Sequence, residues 1–272
     1  MFQSPRTQWE KILDKPLKKQ IAFLNKVCKI DRKDNLIIRA AFFEKLPFEL
    51  VRRIFKLVQD VVDADGIDFS FKELIFDRLL WVSEIAHLYP VDKETDENII
   101  HGEHYHVYTA CYFDLDLVVD FINSRNDISS LCDLGSGSGR AIFYMALKAQ
   151  NELEYAGLEL VSDRVEFTNR IVQNFALSNV YFKTSNFLET PDDFLGFDAY
   201  YLYDPVGTDD VQLLLSYFEK MISDGAKFYI IFISGWDDLM LNALNGLESL
   251  EQLESIKSRK QQDRFVNFYK VR

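Results

Sequence analysis

Ser130-Leu131-Cys132-Asp133-Leu134-Gly135-Ser136-Gly137-Ser138-Gly139-Arg140 carries an apolar run straight into three alternating glycines. The run predicts a strand over Ser130–Leu134, and the pattern over Arg140–Ala149 predicts a helix directly after the turn. Glycines at such a turn let the backbone bend sharply and approach a ligand closely. The helix that follows offers unpaired N–H groups and the positive end of its dipole. Any nucleotide-like ligand suits that geometry, so the glycines alone do not choose among them. Strand and helix then alternate outward from this segment. Strands are expected at Glu154–Leu160, Val180–Thr184, Phe197–Tyr203 and Lys227–Ser234, and helices at Asp163–Ala176 and Asp209–Met221. A short amphipathic helix is expected at Asp114–Ile122, and Leu247–Ile256 and Phe265–Val271 are read as the last strands. Such alternation with short turns implies a mostly parallel sheet covered by helices on both faces, an α/β fold.

Two carboxylates narrow the ligand. Asp133 stands at the strand end before the glycines, where it would repel a pyrophosphate but can accept a hydrogen bond from an ammonium. Glu159 closes the next strand 20 residues after Gly139, the place for an acid that accepts both ribose hydroxyls. A ribose site and an ammonium site without a phosphate site describe S-adenosylmethionine better than NAD.

The stretch Asp-Leu-Gly-Ser-Gly-Ser-Gly-Arg (133–140), followed by Gly-Leu-Glu-Leu (157–160), resembles motifs I and II of the class I S-adenosylmethionine-dependent methyltransferases. Its form is most similar to the non-SET protein lysine methyltransferases and their bacterial relatives. The resemblance spans about Tyr105 to Ile233 and implies a Rossmann-like domain with a seven-stranded sheet. It implies that Asp133, Gly135, Ser136, Gly137 and Gly139 hold the methionine end, and that Glu159 binds the ribose with Leu160 flanking the adenine. Asn186-Phe187 matches the place of an adenine-binding Asp. Asn is a departure there, since its carbonyl makes a weaker, uncharged bond; the plainer reading of Asn186 is a turn residue. Arg140 is read as an anchor of its helix.

The fourth strand ends in Tyr203-Asp204-Pro205, which resembles the family's motif IV and implies that these residues border the transferred methyl. Val206-Gly207 replaces the Pro-Tyr of the amino-base and glutamine methyltransferases, which argues against those substrates. Tyr203, Asp204 and Tyr108 are the candidate catalytic residues, with Tyr203 also facing the cofactor. Tyr105, Tyr112 and Tyr201 are further candidates to line an aromatic channel, and the plain alternative for each is packing. His101-Gly-Glu-His-Tyr-His106 lacks an evident fourth ligand for a metal. It reads as a lid that brings Tyr105 or Tyr108 onto the methionine end, or as a solvent loop. No metal site is expected.

Residues 1–98 read as a helical region, a substrate or partner platform or a lid, and 99–272 as the cofactor domain. Gln20–Cys28, Leu36–Leu46 and Phe48–Val62 show helical spacing, and Ser70 with Glu73 forms a capping pair for the next helix. Of the 272 residues, 48% are hydrophobic and the net charge is −12, an ordinary globular mixture. Residues 1–60 hold 14 Lys+Arg against 7 Asp+Glu, and the remainder 17 against 36. That acidic body argues against nucleic acid and for cationic partners. Three cysteines give no disulfide framework, and no run nears the ~20 apolar residues of a membrane helix. The expected place is the cytoplasm, with export lacking a classical signal left open. A protein side chain, lysine favoured, is the expected acceptor. The alternatives are a small molecule, with Phe42, Phe43 and Phe48 over an apolar pocket, and a binding protein that keeps the fold without catalysis. Oligomeric state is not legible.

Overall fold

The computed structural model describes residues 5–16, 18–24, 46–65, 73, 75–77, 79–80, 82, 110–234, 238–258 and 264–272. The Ser70 cap, the polar stretch 90–98, the histidine segment 101–106, Tyr105 and Tyr108 lie outside these residues, as does 36–45 of the expected second helix. The chain divides into two compact units, Met1–Glu84 with Gln173–Ala176, and Ile85–Val172 with Leu177–Arg272.

The first unit is helical where described. It contains α1 (Pro5–Leu13), helical residues 18–24 and α2 (Phe48–Asp65). Of the stripe expected on α2, Leu50, Val51, Ile54, Phe55 and Val58 are buried, and Leu57 with them, while Arg52, Arg53 and Lys56 stay exposed; the side chains of the expected Val61 and Val62 lie outside the described ones. Trp9 is fully buried with Phe23 edge-on at 5.0 Å, and Phe55 stacks on Phe76 at 3.8 Å.

The second unit holds a seven-stranded sheet in the order β3-β2-β1-β4-β5-β7-β6. Its elements are α3 (Tyr112–Asn123), β1 (Ser130–Leu134), α4 (Arg140–Lys148), β2 (Glu154–Glu159), α5 (Ser162–Phe175), β3 (Val180–Thr184), β4 (Ala199–Tyr203), α6 (Val211–Ser223), β5 (Tyr229–Ile233), α7 (Leu239–Gly246), β6 (Leu250–Lys257) and β7 (Phe265–Val271). β1 to β5 are parallel, and β7 runs antiparallel to both β5 and β6. This is a Rossmann-like sheet. Its order reverses at β1, which lies between β2 and β4, and ligands of open α/β sheets bind at the carboxyl ends beside such a reversal.

Side chains alternate across the sheet. One face sends Cys132, Leu134, Leu158, Tyr200, Leu202, Ile230 and Phe232 into a core with Leu214, Phe218 of α6 and Met240, Leu244 of α7. The opposite face carries Leu131, Asp133, Tyr155, Gly157, Glu159, Tyr201 and Tyr203, in register across β2, β1 and β4. On that side Phe121 of α3 stacks on Phe268 of β7 at 4.3 Å, and Phe143 of α4 meets Phe182 of β3 at 5.3 Å. The helix α7 was not expected from the sequence. Its Leu-Met-Leu-Asn-Ala-Leu stretch lacks a clear polar stripe, and only Met240 and Leu244, one turn apart, are buried. Among the described residues no helix is long and apolar enough to cross a membrane.

Candidate functional site

The glycine turn is built as its composition demands. Gly135, Gly137 and Gly139 have φ of 80°, 53° and 74°, all in the left-handed region that favours glycine. The Gly135 and Ser136 N–H groups both donate to the Leu158 carbonyl, at 2.9 and 2.8 Å, which straps the turn to β2. A side chain at Gly135 would come within 3.4 Å of the Pro205 backbone, so the glycine turn and the end of β4 meet there. At Gly139 an added Cβ would stand 2.7 Å from the Phe182 ring, and at Gly157 only 2.4 Å. The Phe182 ring therefore fills the space that two glycines leave, and it supports the turn from below.

Glu159 is buried and closes the turn from the side. Its Oε2 accepts the Gly137 N–H at 2.8 Å, and its Oε1 accepts the Val161 N–H at 2.9 Å and the Arg164 guanidinium at 3.3 Å. Arg164 is also buried, so this ion pair lies away from bulk water. An oxygen with one bond keeps a lone pair for a further donor.

Asp133 is buried and receives no hydrogen bond from any described residue. Burial first, and then the charge of Glu159, push its carboxyl well above the usual range. Next to it in register stands Tyr201, whose hydroxyl is buried without a partner. Burial, followed by the charges of Asp133, Tyr203, Asp114 and Cys111, pushes that phenol well up. Tyr203 ends β4 half-buried; its hydroxyl accepts a bond from Arg264, whose guanidinium also lies 5.4 Å from the Tyr203 ring centre. Burial outweighs the arginine, and the Tyr203 phenol is raised, which keeps it protonated at neutral pH. Asp204 follows at φ 46°, a left-handed backbone uncommon for a residue with a side chain.

The other expected residues are spread around this centre. Leu160 is half-buried just past β2. The Asn186 carbonyl closes a turn by accepting the Glu189 and Thr190 N–H groups, and its side-chain amide bonds no described residue. Phe187 packs in the core, edge-on to Phe194 at 6.3 Å. Tyr112, expected among channel-lining residues, is instead fully buried against Tyr144 at 4.9 Å, because its helix turns that position inward. Arg140 donates to the Ala110 carbonyl at 3.0 Å and lies 4.8 Å from the Tyr112 ring centre, so it anchors the start of α3 as well as its own helix.

Two buried polar residues went unremarked in the sequence. Asp114 is buried in the first turn of α3, and its signal was present: it shares the apolar stripe with Val118 and Ile122. Arg264 follows a polar stretch with no periodicity, and nothing local marked it.

A family described as a methyltransferase domain matches residues 126–264, from just before β1 to Arg264. The chain belongs to this methyltransferase family. No curated protein matches it. Similar solved structures include an rRNA methylase from Streptococcus thermophilus, 13% identical over 61% of this chain and 98% of that one, with a TM-score of 0.44. Another is a Streptococcus mutans protein, described as a candidate methyltransferase and crystallised with SAH; it is 14% identical over 58% and 98%, with a TM-score of 0.45. A methyltransferase from Geobacter sulfurreducens is 14% identical over 70% and 98%, with a TM-score of 0.47.

The cofactor of this methyltransferase is S-adenosylmethionine, and the residues present fit it. Ser136 and Ser138 in the glycine turn have buried hydroxyls without partners, Asp133 has an unspent carboxylate, and Gly135 is exposed. A ligand with an ammonium, a carboxylate and a ribose matches those unspent groups.

Proposed function

We propose that this methyltransferase transfers the methyl group to an amine of a protein side chain, lysine first. The observation that carries the reading is the Tyr203-Asp204-Pro205 turn, held with Asp204 in a left-handed backbone against Gly135. Strain of this kind costs about 1–3 kcal/mol and concentrates at functional sites. Asp133 and the turn residues Gly135, Ser136, Gly137 and Gly139 hold the methionine end, Glu159 accepts the ribose hydroxyls, and Leu160, Asn186 and Phe187 border the adenine. Bound S-adenosylmethionine supplies an electrophilic methyl on a sulfonium. The chain's part is alignment, since an in-line displacement gains most of its rate from near-attack geometry. Tyr203 and Asp204 orient the acceptor nitrogen. A protonated amine must shed its proton before attack, and an apolar, phenol-lined entry lowers its pKa. The net charge of −12 supports a cationic acceptor over a polyanion. The basic residues 1–60 support residues 1–98 as a platform for a substrate or partner.

A second reading has its own observation. Arg264 places a guanidinium at the Tyr203 end of the site, which suits a small acceptor bearing an acid group.

Labelling separates the two. The protein is incubated with S-adenosylmethionine carrying a radioactive methyl and a whole-cell lysate, and the labelled protein is hydrolysed to amino acids. Label in N-methyllysine is expected, and label confined to small molecules overturns the lysine reading. Asp204→Gly is expected to keep S-adenosylhomocysteine binding while turnover falls about 10- to 100-fold. Unchanged turnover removes Asp204 from the mechanism.

A further inference from the structure

We infer that Asp114 is a second carboxylate grip on the cofactor's α-ammonium, acting with Asp133 and the Tyr201 hydroxyl. This rests on the reading that Asp133 holds the methionine end.

Asp114 occupies the first turn of α3 on the same stripe as Val118 and Ile122, which bury into the domain. Only 2% of it is exposed, and its Oδ1 is buried with no partner. An acid so placed has given up water without a protein donor in exchange, a costly arrangement for a folded chain. Tyr201 repeats the pattern: it too is 2% exposed, and its hydroxyl has no partner. Asp133 makes the third unspent group, and it pairs with Tyr201 in register on the neighbouring strand. The Tyr201 phenol feels the charge of Asp133 and of Asp114, so the three groups share one neighbourhood.

Their level in the site distinguishes cofactor from acceptor. Tyr201 lies one pleat inside Tyr203 on β4, level with Asp133. We assign Asp114 to this inner group, at the methionine end, because it and Tyr201 are both buried polar groups without a partner among the described residues. An ammonium has three N–H donors and no acceptor. One carboxylate seldom satisfies all three when water is excluded, and Asp133, Asp114 and the Tyr201 oxygen together offer the missing acceptors. The first turn of a helix also favours a negative charge, which lets an acid stand there before the ligand comes.

Calorimetry with two ligands tests this. S-adenosylhomocysteine carries the amino-acid end, and 5′-methylthioadenosine lacks it. Asp114→Asn, which keeps the shape and removes the charge, is expected to weaken S-adenosylhomocysteine about 10- to 100-fold, the range for losing a charge-assisted bond. It is expected to leave 5′-methylthioadenosine within about twofold and the melting temperature of the ligand-free protein equal or higher. Unchanged S-adenosylhomocysteine affinity overturns the inference. Equal losses for both ligands also overturn it, because Asp114 would then shape the fold without touching the ammonium. Asp133→Asn is the control. If it leaves S-adenosylhomocysteine binding intact, the reading of the methionine end fails first and takes the role of Asp114 with it.

Discussion

Replacing Glu159 with Gln keeps the volume of the side chain and removes one charge. In the native structure the carboxylate accepts from Gly137, Val161 and Arg164, at 2.8, 2.9 and 3.3 Å. An amide has one oxygen and one NH2. Its oxygen can serve either Gly137 or Val161, and its NH2 then faces the other N–H, donor against donor. An orphaned buried N–H costs about 1–3 kcal/mol. Arg164 loses its only carboxylate partner among the described residues while its Nε already has none there, and breaking a buried ion pair from one side costs about 3–5 kcal/mol. The two losses overlap, because a small shift of Arg164 toward water relieves part of each, so about 3–5 kcal/mol is expected in all. For a domain of this size each kcal/mol moves the melting point by about 2–4 °C, giving a drop of roughly 6–20 °C. Calorimetric melting of the ligand-free protein measures it. Adding Arg164→Met to Glu159→Gln removes the stranded cation and is expected to restore at least half of the loss, roughly. A single variant melting within about 2 °C of the parent, or a double variant no better than the single, would refute the argument that these two charges hold the turn.

Asp133 makes binding depend on pH. Its carboxyl is raised by burial and by Glu159, so between the ordinary 3.8 and its raised value the folded protein holds a proton that the unfolded chain has released. Stability therefore falls as pH rises through that window, and Asp133→Asn is expected to flatten the slope. The ammonium needs the ionised form, so S-adenosylhomocysteine should bind more tightly with rising pH across the same window and release protons on binding. Calorimetry in two buffers of different ionisation enthalpy reads the release, and its absence in the parent protein contradicts the account. Gly157→Ala drives a methyl to 2.4 Å from Phe182 and 2.8 Å from the Ser136 hydroxyl. It is expected to cost about 1–3 kcal/mol by overpacking and to weaken the cofactor by displacing Ser136. Gly225→Ala, in open space at φ +88°, should cost only the backbone strain of about 1–2 kcal/mol and leave the cofactor alone; equal binding losses in the two variants would break the link between Phe182 and the turn.

The sheet was legible where short runs are bounded by clear breaks. Ser130–Leu134, Val180–Thr184 and Phe265–Val271 coincide with β1, β3 and β7. The central strand β1 reads as an apolar run because both its faces are covered, and the edge strand β3 reads as alternation because one face is exposed. The expected strand Phe197–Tyr203 starts two residues early, because the Asp198 carboxylate accepts from Ser129 and Ser130 and ends the ladder there. Of the candidate site, Asp133 and Glu159 stand out in the sequence as acids at strand ends beside glycines, and the structure buries both at the glycine turn. Arg264 comes from a segment distant in sequence and reaches Tyr203 through packing, and the burial of Asp114 likewise depends on packing, which local spacing does not encode. Tyr112 illustrates the same limit from the other side: an aromatic near the site in sequence can face the core.

Arg140 is the first residue past the glycine turn, and it grips the Ala110 carbonyl ahead of α3. The start of α3 is thus pinned to the first turn of α4, and the Tyr112–Tyr144 contact fastens the same two helices a second time. A tilt of α4 would therefore carry the start of α3 with it, so the two helices move as one lever beside the glycine turn.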